Sequence, residues 1–224
     1  MGYYINLEKI SCNDFRNKLK SAYLPPSRLI LKDNLDEQFD YFTDIGVTNL
    51  KALVQLLKNK NKLAELLKHD CFTQEYLKVL LRELNSMHPK PNKIAEFVDI
   101  AQNTLDNLTK IGITTTEKLY EKVLNKIDRQ KLAEANGIDY HDILKLTKLA
   151  DLSRIKWVGV TYAQMLYNLG FDTVEKVSEA HPNDLHLKIN RLIKENNIFK
   201  GTIGINDVRI LIESANELSI DIEY

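Results

Sequence analysis

The sequence predicts an all-α bundle, and three observations carry that prediction. Only 8 glycines and 5 prolines occur in 224 residues, too few breakers for a loop-rich or all-β protein. Leu, Lys, Glu, Asn and Ile dominate, and apolar residues recur every three or four positions through most of the chain, the spacing of amphipathic helices. The third observation is a repeated stop: Ile45-Gly46-Val47-Thr48, Ile111-Gly112-Ile113-Thr114 and Leu169-Gly170-Phe171-Asp172. Upstream of these glycines stand Phe42 and Phe39, Leu108 and Leu105, Leu166 and Ala163. A glycine in the left-handed conformation ends a helix and lets the next apolar side chain fold back on the last turn. Val47 is therefore expected against Phe42, Ile113 against Leu108 and Phe171 against Leu166. The expected bundle has about 10–12 short helices in two related halves.

In chain order, Ser11 or Asn13 opens a helix over 14–22, and Pro25-Pro26-Ser27 ends it and starts the next, since proline suits only a first helical turn. Leu31, Leu35, Phe39, Phe42 and Ile45 mark an amphipathic helix over 28–45, with a break near Asp33-Asn34. Helices follow over 49–57 and 60–68, and over 73–87 with Thr73 as N-cap. His88-Pro89-Lys90-Pro91 is the clearest breaker and separates an N-terminal half, 1–91, from a C-terminal half, 92–224. Residues 92–111 read as a helix or helix pair leading to Gly112. Thr114 with Glu117 reads as a capping box, followed by helices over 117–125 and 128–135 and a stop at Asn136-Gly137. Asp139 caps a helix to about Leu152; 153–159 is a tight turn and 161–169 the next helix. Asp172 with Glu175 reads as a second capping box over a helix to 179. His181-Pro182-Asn183 breaks it, and helices over 184–195 and 206–218 complete the fold.

The halves look duplicated. Lys62-Leu63-Ala64-Glu65 recurs as Lys131-Leu132-Ala133-Glu134, followed by Tyr76-Leu77-Lys78 and Ile143-Leu144-Lys145 at matching places. The N-terminal half reads as a degraded copy, longer chiefly around Pro89–Pro91.

Charge narrows the function. Lys and Arg total 31, Asp and Glu 31, and the two halves divide them almost evenly. A dedicated nucleic-acid binder carries a basic excess, so such a role here must rest on a local patch. The start, Met1-Gly2-Tyr3-Tyr4-Ile5-Asn6, shows no basic region followed by an apolar core. No apolar run approaches a membrane span. Cys12 and Cys71 lie in no metal or redox motif and read as reduced thiols. The expectation is a cytoplasmic protein with no membrane contact.

One segment has chemistry behind it. Leu152-Ser153-Arg154-Ile155-Lys156-Trp157-Val158-Gly159-Val160-Thr161-Tyr162-Ala163 resembles a helix-hairpin-helix within 145–170. In that module a Gly-apolar-Gly turn lets backbone amides approach a DNA phosphate, and the following helix offers its positive end to the same anion. Val158, Gly159 and Ala163 match, whereas Trp157 stands where the first glycine belongs. Lys145, Lys148, Arg154 and Lys156 supply local positive charge against Asp142 and Asp151. Trp157 can stack on an unpaired base, or instead plug the core or a partner's pocket. The candidate nucleic-acid-binding residues are Arg154, Lys156, Trp157, Gly159 and Thr161.

The same region carries a wider resemblance. Lys131-Leu132-Ala133-Glu134, Gly137-Ile138, Ala150-Asp151-Leu152, Arg154-Ile155, Val158-Gly159, Tyr162-Ala163, Gly170 and Asp172-Thr173-Val174 resemble an uncharacterised bacterial domain family of unknown function built on a divergent helix-hairpin-helix, best over 127–218. The resemblance implies an all-α fold related to helix-hairpin-helix and sterile-alpha-motif-like bundles, and no activity, cofactor or catalytic residue.

Other chemistry is weakly signalled. His69, His88, His141, His181 and His186 have no metal-ligand spacing. Gly201-Thr202-Ile203-Gly204 lacks the lysine and serine of a nucleotide loop. Lys58-Asn59-Lys60-Asn61-Lys62, with Lys51 and Lys68 near, is the densest basic run and reads as a solvated helix junction. No nucleophile lies in a recognised catalytic context. The chain is expected to be non-enzymatic, without cofactor or metal. Two roles remain: sequence-independent binding of the DNA phosphate backbone through the 154–163 hairpin, or a scaffold contacting a protein partner or a second copy of itself.

Overall fold

In the computed structural model, which describes residues 2–224, the chain forms 13 α-helices and two 3-10 helices. No named strand occurs among these residues; two isolated β-bridges do. The all-α expectation holds, with more and shorter helices than the spacing suggested. The chain divides into two compact units, 6–88 and 89–224, the latter including the stretch before Asn6.

The unit 6–88 begins with α1 (Cys12–Ser21), whose N-cap Ser11 accepts the Asp14 amide. The helix expected over 28–45 is divided: a 3-10 helix spans Pro26–Lys32 and α2 spans Leu35–Asp44, with Asn34 left-handed between them at φ +50°. Next come α3 (Leu50–Lys58), α4 (Lys60–Leu66) and α5 (Gln74–Ser86), capped by Asn49, Asn59 and Thr73. Their inner faces bury Leu31, Phe39, Phe42, Leu53, Phe72 and Leu80. The Phe39 and Phe42 rings meet edge-on at 5.6 Å. Arg28 and Glu83, both buried, form an ion pair at 3.0 Å.

The unit 89–224 holds α6 (Gln102–Lys110), α7 (Thr116–Tyr120), α8 (Lys126–Asn136), α9 (Tyr140–Leu152), α10 (Val160–Asn168), α11 (Val174–Ser178), α12 (Pro182–Asn196) and α13 (Ile205–Asn216). A large apolar core runs from Ile94 to Ala215 through Leu108, Leu119, Ile143, Leu166 and Leu211, and Tyr3, Tyr120 and Ile222 form a smaller cluster. Residues 92–101, read as helical, hold only a 3-10 turn at Ile94–Glu96, and Asp99 is left-handed at φ +57°. The break expected at His181-Pro182-Asn183 separates α11 from α12, but α12 starts at Pro182 itself, the first-turn position that a proline tolerates.

The repeated helix stop is built as its chemistry predicts. Gly46, Gly112 and Gly170 hold φ of +79°, +78° and +82°. Each following apolar residue donates its amide back: Val47 to Phe42 O at 2.8 Å, Ile113 to Leu108 O at 2.9 Å, Phe171 to Leu166 O at 3.0 Å. The N-cap of the next helix lies one residue after the polar residue that closes each motif, Thr48, Thr114 or Asp172, and the helix expected over 117–125 spans only Thr116–Tyr120. The caps are Asn49, Thr115 and Thr173, which accept the amides of Ala52, Lys118 and Lys176. The capping boxes placed on Thr114–Glu117 and Asp172–Glu175 therefore do not form.

Around two of these caps the same small ladder appears. Cys12 donates to Thr48 O and Leu50 to Ile10 O; Ile94 donates to Thr114 O and Thr116 to Asn92 O. At the third, the Val174 amide donates instead to the Asp151 carboxylate at 3.0 Å.

A Cβ at Gly46, Gly112 or Gly170 meets nothing within 4 Å, so conformation alone demands glycine. Alanine at any one is expected to cost about 1–2 kcal/mol, the left-handed penalty for an L-residue, read as a lower urea midpoint with an unchanged slope.

Candidate functional site

The hairpin joins α9 to α10 through residues 153–159, which are anchored from within. Ile155 is fully buried and Val158 is 3% exposed. The Val158 amide donates to Ile155 O at 3.1 Å, and the Ser153 hydroxyl donates to Leu149 O at 2.6 Å. Asn92 reaches in from a distant loop, its Nδ2 donating to Ser153 Oγ at 2.9 Å and to Val158 O at 3.4 Å. Ile155 and Val158 thus anchor the turn in the core, and these hydrogen bonds tie it to α9 and to Asn92.

Trp157 projects from this turn. Its backbone is left-handed at φ +65°, the conformation a glycine at this place supplies without strain. For a bulky side chain this is a genuine outlier, of a kind that persists only when its surroundings over-determine it. Trp157 is 45% exposed, so the reading of it as a core plug is corrected. The Lys156 ammonium lies 4.3 Å from the ring centroid, within cation–π range. Gly159 follows at φ −84° as the N-cap of α10, with no side chain capping the first-turn amides. A Cβ there would meet nothing within 4 Å, and Thr161 lies exposed in that first turn.

Arg154 does not belong with this surface. It is 2% exposed, its Nη1 bonded to Asp151 Oδ1 at 2.8 Å, Nε to Tyr3 O at 3.2 Å and Nη2 to Ser219 O at 2.9 Å. Its guanidinium also stacks 4.6 Å from the Tyr120 ring centroid. With its donors used inside the protein, Arg154 is a structural cation and is withdrawn as a phosphate ligand. Lys145 is likewise engaged, donating to Val98 O at 3.2 Å and Asp99 O at 3.0 Å. Lys148 pairs with Asp172, which also takes Lys176 at 2.6 Å. Burial pushes the Asp172 carboxyl up, but the hydrogen bonds from Lys148 and Lys176 outweigh it and hold it below the ordinary carboxylate range. Of the four cations the sequence gathered here, Lys156 alone stays beside the hairpin tip.

Sequence reasoning missed the cluster that captures Arg154. Asp151, 4% exposed, accepts from Arg154, from the Val174 amide and, at 3.1 Å, from the Tyr224 hydroxyl. Asp221 accepts from Tyr120 at 3.1 Å and from the Ser219 hydroxyl at 2.9 Å. Asp151 and Arg154 stand three apart amid Leu149, Ala150, Leu152 and Ile155, and a charge pair inside an apolar run was the available signal. Among the described residues no group of three or more His, Cys, Asp or Glu is placed to hold a metal.

Removing one member of a buried pair strands the other's charge. Arg154→Met is expected to lose about 3–5 kcal/mol, and pairing it with Asp151→Asn to recover part of that, by chemical denaturation. Trp157→Gly is expected to exceed Trp157→Ala in stability by about 1–2 kcal/mol, since both delete the ring and only glycine escapes the left-handed penalty.

The family described as "Domain of unknown function (DUF4332)" matches residues 98–218, 121 of the 224 in the chain, and the chain belongs to it. The match begins about thirty residues before the stretch that carried the resemblance in the sequence. No curated protein and no solved structure matches the chain.

Proposed function

We propose that this DUF4332 chain is a non-enzymatic binding module that holds single-stranded nucleic acid, weakly and without sequence preference, on the tip of a divergent helix-hairpin-helix. The observation that carries the reading is Trp157: a bulky residue kept in a glycine conformation, 45% exposed, on a turn whose Ile155 and Val158 are buried. An aromatic face presented in this way stacks on any base. Lys156 beside it and the uncapped amides of Val160 and Thr161 past Gly159 suit the adjoining phosphate. The recurrence of the Gly46, Gly112 and Gly170 stops, with the same back-bonds at each, supports a fold grown by duplication of helical hairpins.

A duplex is a poorer fit. With Arg154, Lys145 and Lys148 engaged internally, too few cations remain to neutralise a run of phosphates. That same sequestration, with zero net charge, favours a second reading in which Trp157 is the anchor of a protein contact, since tryptophan is enriched at interface hot spots.

Trp157 is the sole tryptophan of the chain, so its fluorescence reports on the site directly. Oligo-dT is expected to quench it saturably at about 20 mM salt, with affinity falling about 4- to 17-fold by about 150 mM for one to two phosphates neutralised, and Lys156→Glu is expected to abolish the effect. Gly159→Ser supplies an N-cap hydroxyl to the α10 amides, so it is expected to raise stability by about a few tenths of a kcal/mol while weakening the oligonucleotide. Fluorescence that is unmoved at low salt rejects the nucleic-acid reading, and a blue shift with protein concentration alone indicates self-contact through Trp157.

A further inference from the structure

A groove of about 410 Å³ opens beside α10, bounded by the C-terminal end of α12 and the loop after Glu96. That volume falls in the range of small-molecule sites, about 300–1,000 Å³. Its walls are mostly apolar: Val98, Val160, Met165, Leu192 and Ile198. Val98 is 58% exposed, a branched aliphatic left facing water.

Both walls are set in place by backbone geometry. Asp99 is left-handed at φ +57°, and Phe97 just before Val98 is buried at 4%. Lys145 spans that bend by donating to the Val98 and Asp99 carbonyls. On the other side Asn197, left-handed at φ +53°, ends α12 and brings the chain round to Ile198, whose amide bonds back to Ile193 O at 3.3 Å. A groove shaped by fixed backbone loses little free energy to ordering when it is filled.

One polar demand among the lining residues is unmet. Gln164 is 9% exposed; its Nε2 donates to Asn168 Oδ1 at 3.0 Å, while its Oε1 is buried and accepts no hydrogen bond among the described residues. A buried carbonyl without a donor is destabilising, and a donor that reaches it restores the balance. Glu96 is the only charged lining residue and faces Lys93 at 3.6 Å, so the groove offers no unbalanced charge to an ion.

We propose that this groove binds a small, uncharged, largely apolar molecule that donates one hydrogen bond to the Gln164 amide carbonyl. Because Oε1 is buried and Nε2 is bonded to Asn168, the terminal amide must turn to present Oε1 to the ligand. The inference rests on α10, α12 and the 97–100 bend, independently of the Trp157 reading.

Indole and benzofuran test it, because they match in size and shape and differ in the N–H. In a titration of the full ¹⁵N-labelled chain, indole is expected to shift the Val98, Thr161, Met165 and Ile198 amides and the Gln164 side-chain amide saturably. Benzofuran is expected to bind the same residues about tenfold more weakly, the worth of one hydrogen bond. Gln164→Met is expected to level the two ligands, and Val98→Ser, at an exposed position, to weaken both. Absence of saturable shifts at these residues, or shifts confined to other parts of the chain, overturns the site. Equal affinity of the wild-type chain for indole and benzofuran overturns the role of Gln164, and this comparison decides even if Gln164→Met fails to fold.

Discussion

The Arg154 guanidinium organises the unit that carries the hairpin. It joins Asp151 at the end of α9 to the backbone at Tyr3 and Ser219, and stacks on Tyr120 at the end of α7. Asp151 extends the junction to the first amide of α11 and to Tyr224. Burying a charge is unfavourable unless its attraction and its hydrogen bonds are supplied together, and here they come from segments far apart in sequence. The stretches on either side of the helical core are thereby fixed to the base of the hairpin. Together with the burial of Ile155 and Val158, this junction supplies the surroundings that hold Trp157 in a conformation its own side chain disfavours.

Much of the architecture was legible because it rests on local chemistry. A left-handed glycine followed by an apolar residue needs only its own helix to be recognised, and Val47, Ile113 and Phe171 bond back as that chemistry requires. The caps were misplaced by one residue because Thr114 and Asp172, polar and correctly spaced for a box, compete on paper with Thr115 and Thr173. Tertiary hydrogen bonds decide the matter: Thr114 gives its carbonyl to Ile94, and Asp172 is held by two lysines. Residues 92–101 failed as a helix for a similar reason. Their apolar members Ile94 and Phe97 are buried from a 3-10 turn and the extended residue after it, a path that periodicity alone does not register.

The site was half legible. Trp157 and Gly159 could be singled out from the hairpin pattern, and the structure places them together at an exposed tip. The surrounding cations could not be sorted from sequence, because an arginine on the protein surface and one locked beneath a helix carry the same letter. Only three-dimensional proximity of Asp151, Ser219 and Tyr3 turns Arg154 inward. The groove under Val98 was wholly invisible, since it depends on left-handed bends at Asp99 and Asn197 that no pattern marks.

The three glycine stops differ in how the helix after each is secured. At Asn49 and Thr115 the tie is backbone to backbone, through the Ser11 and Lys93 bridges, and side-chain replacement leaves main-chain amides and carbonyls where they were. At Thr173 the same duty falls on the carboxylate of Asp151. A single codon change can delete that tie, whereas at the other two any residue except proline keeps the backbone donors. Genetic drift therefore has much less room at Asp151 than at Ser11 or Lys93, although all three positions serve the same local geometry.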